Sequence, residues 1–211
     1  MTPKQIYYEN IAATIIKNLE KRQMEGYYCP DRESALQKAL ELMPEGSSIG
    51  WGGSMTIREI GLMDAIHNGK YKIIDRESGT TPEETRKLYG EICCSDFFLM
   101  STNAITVNGE LINIDGRANR VSFLCYGPEN VIIVAGMNKV VSDVESGFKR
   151  VRDIATPPNT VRLNKKTPCA VTGKCGDCFS PDCICSQFVY TRRSQVPGRI
   201  KVILVGEELG F

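Results

Sequence analysis

No apolar run in the sequence approaches the roughly 18 residues that a membrane-spanning helix needs. Neither charge sign is in excess: 26 Lys and Arg stand against 25 Asp and Glu, so global charge argues for neither a nucleic-acid nor a membrane partner. Internal repeats and low-complexity tracts are absent. The first 23 residues have no continuous apolar stretch and no small-residue cleavage site, so no signal peptide is expected there. The one histidine, His67, reads as the polar end of a helix. These absences leave a soluble, cytoplasmic protein as the expectation.

What is present is ordinary globular composition, 42% apolar and 24% charged over 211 residues, enough for a sizeable core. The expectation is one α/β domain spanning 1–211. It includes a helical N-terminal segment, 1–45, and a cysteine-rich, metal-binding insertion, 165–190. Helical spacing of Ile6, Ile11, Ile15, Ile16 and Leu19 predicts a helix over 4–25, ended by Gly26. Asp31 caps a second helix to about 43. Short strands are predicted at 47–49 and 71–75, with a helix at 56–67 between them whose Thr56 and Glu59 have capping-box spacing. Thr81-Pro82-Glu83-Glu84 starts a helix over 82–93. FFLM (97–100) and NVIIVA (130–135) read as buried strands, and RIKVILV (199–205) as the last one. Asn108-Gly109 centres a hairpin over 104–114. Helices are predicted at 117–126 and 142–153, and ATPPNT (155–160) reads as a break. Strands alternating with helices imply a mostly parallel sheet with crossovers.

Nine cysteines in a chain of this length point to metal ligands or buried thiols rather than a disulfide scaffold. Five of them fall within 169–185, in TPCAVTGKCGDCFSPDCICSQF. Cys175 and Cys178 flank a two-residue gap that lets both sulfurs face one centre. Eight basic residues and two aspartates surround them between 160 and 201, a setting that suits thiolates. Cys169, Cys175, Cys178 and Cys185 are the candidate ligands. Cys183 is left out because Cys-x-Cys strains a shared tetrahedral centre. With only one clean knuckle, the pattern favours a 4Fe–4S cluster; a zinc site and metal-free thiols are the alternatives.

Two further motifs concern a small ligand. In SIGWGGSMT (48–56), Gly50, Gly52 and Gly53 let the backbone approach an anion, and Ser54 and Thr56 open a helix. In STNAITVNGELINIDGRANR (101–120), Asn103, Thr106, Asn113, Asp115, Arg117 and Asn119 crowd polar groups around the hairpin. Asp115 is the candidate general base, and Arg117 or Arg120 the anion clamp. Lys139 follows the 130–135 strand, at the carboxyl end where ligands bind in parallel sheets. Each of the three loops follows a predicted strand, so all three are expected to meet at one sheet edge. Asp115, Lys139 and Asn103 are the residues expected at the reacting part of the ligand.

SIGWGGSMTIREIG, STNAITVNGELINIDGRANRV, PENVIIVAGMNKVV and TPCAVTGKCGDCFSPDCICS, in that order, resemble the LUD-domain family, the lactate-utilisation protein B and C relatives. The resemblance is to a stand-alone bacterial branch with a cysteine-bearing C-terminus, and it spans nearly the whole chain. It implies a three-layer α/β sandwich like the ribose-phosphate isomerase and CoA-transferase group. It also implies a place in lactate (2-hydroxyacid) oxidation beside iron–sulfur partners, and a cysteine pattern without Cys183. A small phosphate-, carboxylate- or CoA-like metabolite, a redox partner protein and a homodimer are the partners expected. The tandem Cys-x2-Cys-x2-Cys module of the B-type protein is missing here. Competing readings are a non-redox isomerase or transferase with structural zinc, and a metal-stabilised binding module.

Overall fold

The structure, a computed structural model, describes residues 1–211. Its strands are β1 (Glu25–Cys29), β2 (Ser48–Trp51), β3 (Lys72–Ile73), β4 (Phe97–Met100), β5 (Ala104–Thr106), β6 (Leu111–Asp115), β7 (Asn130–Gly136), β8 (Val140–Val141), β9 (Gln187–Thr191) and β10 (Ile200–Val205). Its helices are α1 (Pro3–Lys21), α2 (Arg32–Glu41), α3 (Met55–Glu59), α4 (Leu62–Asn68), α5 (Pro82–Cys93), α6 (Asn119–Cys125), α7 (Val144–Arg150), α8 (Thr156–Arg162) and α9 (Pro168–Thr172). No helix is long and apolar enough to cross a membrane.

Six strands form a parallel sheet in the order β1-β10-β7-β4-β2-β3. Its central strands are almost wholly apolar, with polar Asn130 and Lys201 only near strand starts, because both faces are covered. Period-two alternation sends Phe98, Met100, Ile133 and Leu204 to one face, against Ile15 and Leu19 of α1, Ile92 of α5 and Phe123 of α6. Phe97, Leu99, Ile132 and Ile203 go to the other face, against Ala35, Ile57, Leu62 and Ile66 of α2 to α4. The result is helix, sheet and helix in three layers, with a mostly parallel sheet. A smaller sheet, β8-β5-β6-β9, packs Ile112 and Ile114 against Val151 and Ala155.

Three local expectations are overturned. α1 ends at Lys21, and the residues after it form β1 on the sheet edge. Gly26 lies inside that strand, where an added Cβ would come within 2.9 Å of Ile16 and Leu19; its role is close helix–strand packing. The predicted helix at 56–67 is split into α3 and α4 around Gly61, which has φ +76°. The predicted break at 155–160 is helical. A π turn, Val151–Ala155, joins α7 to α8, and the Thr156 N–H reaches back to the Val151 carbonyl. This register shift puts prolines 157 and 158 in a first turn, where a missing N–H costs nothing.

Candidate functional site

Because β2, β4 and β7 are parallel and neighbours through β4, their carboxyl ends share one edge. The glycine turn, the start of the 101–120 hairpin and the turn carrying Lys139 leave the sheet there. They border a cavity of about 510 Å³. Gly53, Ser54, Thr56, Asn103, Asp115, Arg117, Asn119 and Lys139 all line it. So do Arg76, Arg120, Arg162 and Lys165, and one wall is the cysteine segment itself at Pro181, Asp182, Cys183 and Ile184.

Four proposed ligand residues do not line the cavity. Gly50 faces α5: an added Cβ would stand 2.7 Å from Ile92, so the residue serves sheet–helix packing. Gly52 backs onto the Arg120 side chain, where an added Cβ would be 3.1 Å from its Cγ. The Thr106 hydroxyl is spent within the hairpin, donating to Glu110 Oε2 at 2.7 Å. Asn113 is buried behind the wall, and its Oδ1 accepts from Arg120 Nη1 at 2.6 Å. The roles of the lining residues also differ from expectation. Ser54, not Thr56, caps α3, accepting from the Ile57 N–H at 3.4 Å. α3 has only five residues, which leaves little helix dipole to offer an anion.

Arg120 organises the wall. Its guanidinium donates to Asp115 Oδ2 at 3.2 Å, Asn103 Oδ1 at 3.0 Å, Asn113 Oδ1, and the Ser101 and Ile114 carbonyls. Asp115 also accepts from the Ala118 N–H at 3.1 Å, which holds Ala118 in a left-handed conformation at φ +62° before α6. Both carboxylate oxygens of Asp115 are therefore engaged, and the residue acts as an orienter of Arg120 rather than a free base. The sequence signal for Arg120 was its place in the polar hairpin; its burial was not legible there.

Lys139 is only 3% exposed. Its ammonium donates to the Thr56 and Ser101 hydroxyls, each at 2.9 Å, and to no carboxylate. Burial first, and then the positive charges of Arg150 and Arg120, bring its pKa down to about 7; Glu59 opposes weakly. With no carboxylate in contact, the Lys139 amine gives up its proton more readily than an ordinary lysine does. Arg150 is itself pinned to the Asn138 and Asn103 carbonyls.

Of the five clustered cysteines, Cys183 lines the cavity and the other four do not. All nine cysteines are free thiols. Thr167 and Thr160 hydroxyls sit 3.2 and 3.6 Å from Cys169 Sγ, and Arg152 Nε donates to Cys175 Sγ at 3.4 Å. Burial, above all, pushes the Cys185 thiol up to about 11; the Thr156 hydrogen bond opposes this, and Cys183, Cys175 and Cys169 add to it. These donors are ones that would stabilise thiolates, so the donor chemistry fits a thiolate-bound centre. No three His, Cys, Asp or Glu side chains are gathered closely enough to hold a metal ion.

The arrangement is that of a three-layer α/β protein with a cation-lined cavity at the carboxyl edge of its sheet. Residues 12–205 match the LUD domain, and the chain belongs to the LUD domain family. It is similar to a DUF162 family protein from Deinococcus radiodurans, 15% identical over 94% of this chain and 98% of that one, with a TM-score of 0.55. Looser likenesses are to ribose 5-phosphate isomerase A from Neisseria gonorrhoeae, 19% identical over 57% of this chain and 62% of that one, TM-score 0.35. The ribose 5-phosphate isomerase from Plasmodium falciparum is 20% identical over 53% of this chain and 52% of that one, TM-score 0.34. No curated protein matches the sequence.

Proposed function

We propose that this LUD-domain protein serves lactate (2-hydroxyacid) utilisation by binding a small anionic metabolite in the cavity. One observation carries the reading. Five basic residues, Arg76, Arg117, Arg120, Arg162 and Lys165, line the cavity beside Lys139, against two acids, Asp115 and Asp182. Asp115 is paired with Arg120, and Asp182 stands 3.9 Å from Lys165. The net field favours a carboxylate or phosphate, and the volume suits a metabolite or the head of a CoA-like molecule. Calorimetric titration with L-lactate, pyruvate and inorganic phosphate tests it. Saturable binding of at least one of them is expected, weakened about tenfold or more in Arg117→Glu, which reverses an exposed charge at the rim. Heats that do not saturate with any of the three would overturn the reading.

The cysteine segment, in the same proposal, holds a 4Fe–4S cluster through Cys169, Cys175, Cys178 and Cys185. Such a cluster supplies one-electron transfer to a redox partner protein. The reducing cytoplasm is the compartment in which these nine free thiols persist. Anaerobic purification followed by elemental analysis is expected to give stoichiometric iron. Loss is expected in each of Cys169→Ser, Cys175→Ser, Cys178→Ser and Cys185→Ser, and retention in Cys183→Ser. Stoichiometric zinc would replace the cluster with a structural site, and metal-free protein would remove the centre altogether.

A further inference from the structure

We propose that Lys139 is a covalent site, its side-chain amine condensing with the carbonyl carbon of an anionic aldehyde or ketone held in the cavity. The proposal rests on the reading of the cavity as an anion site and adds the chemistry of the ligand's other end.

The surroundings of Lys139 carry the argument. A buried lysine kept for stability alone is normally paired with a carboxylate. Here the amine meets two hydroxyls, Thr56 Oγ1 and Ser101 Oγ, while the nearest charges acting on it include two guanidiniums. A lysine kept to bind anions would hold its charge firmly, which these neighbours prevent. What the setting provides is an amine that loses its proton more readily than an ordinary lysine, held by two hydroxyls on the wall of a ligand space, which is the requirement for a lysine nucleophile. Thr56 and Ser101 fix its direction from two sides. Gly210 covers a third, where an added Cβ would lie 2.6 Å from Thr56 Oγ1 and 3.4 Å from Lys139 Nζ. The arginines of the wall are then left to hold the anionic end of the same molecule, so that binding energy brings the carbonyl to the amine.

The step balances without an oxidant or reductant. The Lys139 nitrogen forms a bond to the carbonyl carbon, the carbonyl π pair moves to oxygen, and a proton from the amine neutralises it, giving a carbinolamine. The nitrogen lone pair then forms the C=N bond as the C–O bond breaks, and the hydroxyl leaves as water with the second amine proton, so that an imine remains. Its protonated form carries one positive charge, which the carboxylate or phosphate of the bound molecule offsets.

Reductive trapping tests this on the full-length protein. The protein is incubated at neutral pH with sodium cyanoborohydride and either pyruvate, for the carboxylate class, or glyceraldehyde 3-phosphate, for the phosphate class. Intact mass and peptide mapping then count and place the adducts. The expected result is a single saturable adduct at Lys139 with one of the two probes, slowed by excess inorganic phosphate and absent in Lys139→Met. Whichever probe reacts identifies the class. Adducts scattered over surface lysines and unchanged in Lys139→Met, or no adduct at Lys139 in wild type, would overturn the proposal. If titration shows the probe bound while Lys139 stays unmodified, the covalent step fails and the anion site stands. If neither binding nor adduct is seen, both readings fall.

Discussion

Arg120→Met is expected to melt on the order of 10 °C below wild type. The guanidinium is 12% exposed and the carboxylate of Asp115 10% exposed, so this ion pair is largely removed from water. Removing one partner of such a pair leaves the other charge uncompensated, which costs about 3–5 kcal/mol. The same change takes one donor each from the Asn103 and Asn113 side-chain oxygens, which keep only the Ile114 and Asn103 N–H groups, and from the Ser101 and Ile114 carbonyls. For a chain of this size, each kcal/mol moves the melting temperature by about 2–4 °C. Arg120→Lys keeps the charge but not the five-donor fork, and an intermediate loss is expected. Thermal melts followed by circular dichroism check both. A melting temperature for Arg120→Met within about 2 °C of wild type would mean that the wall is not organised by this residue.

Lys139→Met is expected to change stability in the opposite direction. The folded-state pKa of Lys139, about 7, lies below its ordinary 10.5. Between those values the unfolded chain binds a proton that the folded chain does not, so stability rises with pH across that window, and the full penalty is present below it. At neutral pH the penalty is roughly 4 kcal/mol. Methionine removes it and also loses two hydrogen bonds to hydroxyls, about 1 kcal/mol each. The net is a gain of about 2 kcal/mol, or roughly 5 °C. The sign is diagnostic, because a lysine placed for stability would leave the protein weaker when replaced. The advantage of the variant should shrink as pH is raised from about 7 toward 10.5, where wild-type Lys139 no longer pays for burial. An unchanged difference across that range would mean that Lys139 is not the group responsible. A stabilising loss of a site residue is the usual mark of a site held in an unfavourable state for use.

Much of the frame was legible from sequence, and for physical reasons. FFLM and VIIVA, after Asn130, are apolar throughout because strands buried on both faces must be, and they emerged as β4 and β7. Thr81, Pro82 and Glu84 each solve a problem of a helix start, and α5 begins with that capping box. Asn108-Gly109 marked the hairpin, where Gly109 takes φ +82°. Edge strands were harder. β1 contains Tyr27 and Tyr28 after a helical pattern, and β9 is half exposed and carries Gln187 and Thr191, so neither has the pattern of a buried strand. The prolines after α7 were read as a break because a π turn has no sequence signature that periodicity detects.

The same division holds within the site. The meeting of three loops followed from the parallel order of their strands. Which side chains reach the cavity did not, because Gly50, Thr106 and Asn113 differ from true lining residues only in where neighbouring elements sit. Arg117 and Arg120 are three residues apart and chemically alike, yet one is exposed at the rim and the other buried in the wall. Likewise the lowered pKa of Lys139 comes first from burial, and then from Arg150 of α7 and Arg120, none of which is legible in the loop that carries it.

The most direct test of the account is a pH titration of the lysine side chains by NMR, using protein labelled at the lysine ε-carbon, with and without pyruvate or inorganic phosphate. One signal is predicted to titrate with a midpoint near 7, to be missing from Lys139→Met, and to shift on addition of at least one of the two anions. If every lysine titrates at its ordinary value, or if the Lys139 signal is unmoved by both anions, then Lys139 is not an amine of lowered pKa on the wall of an anion-binding cavity.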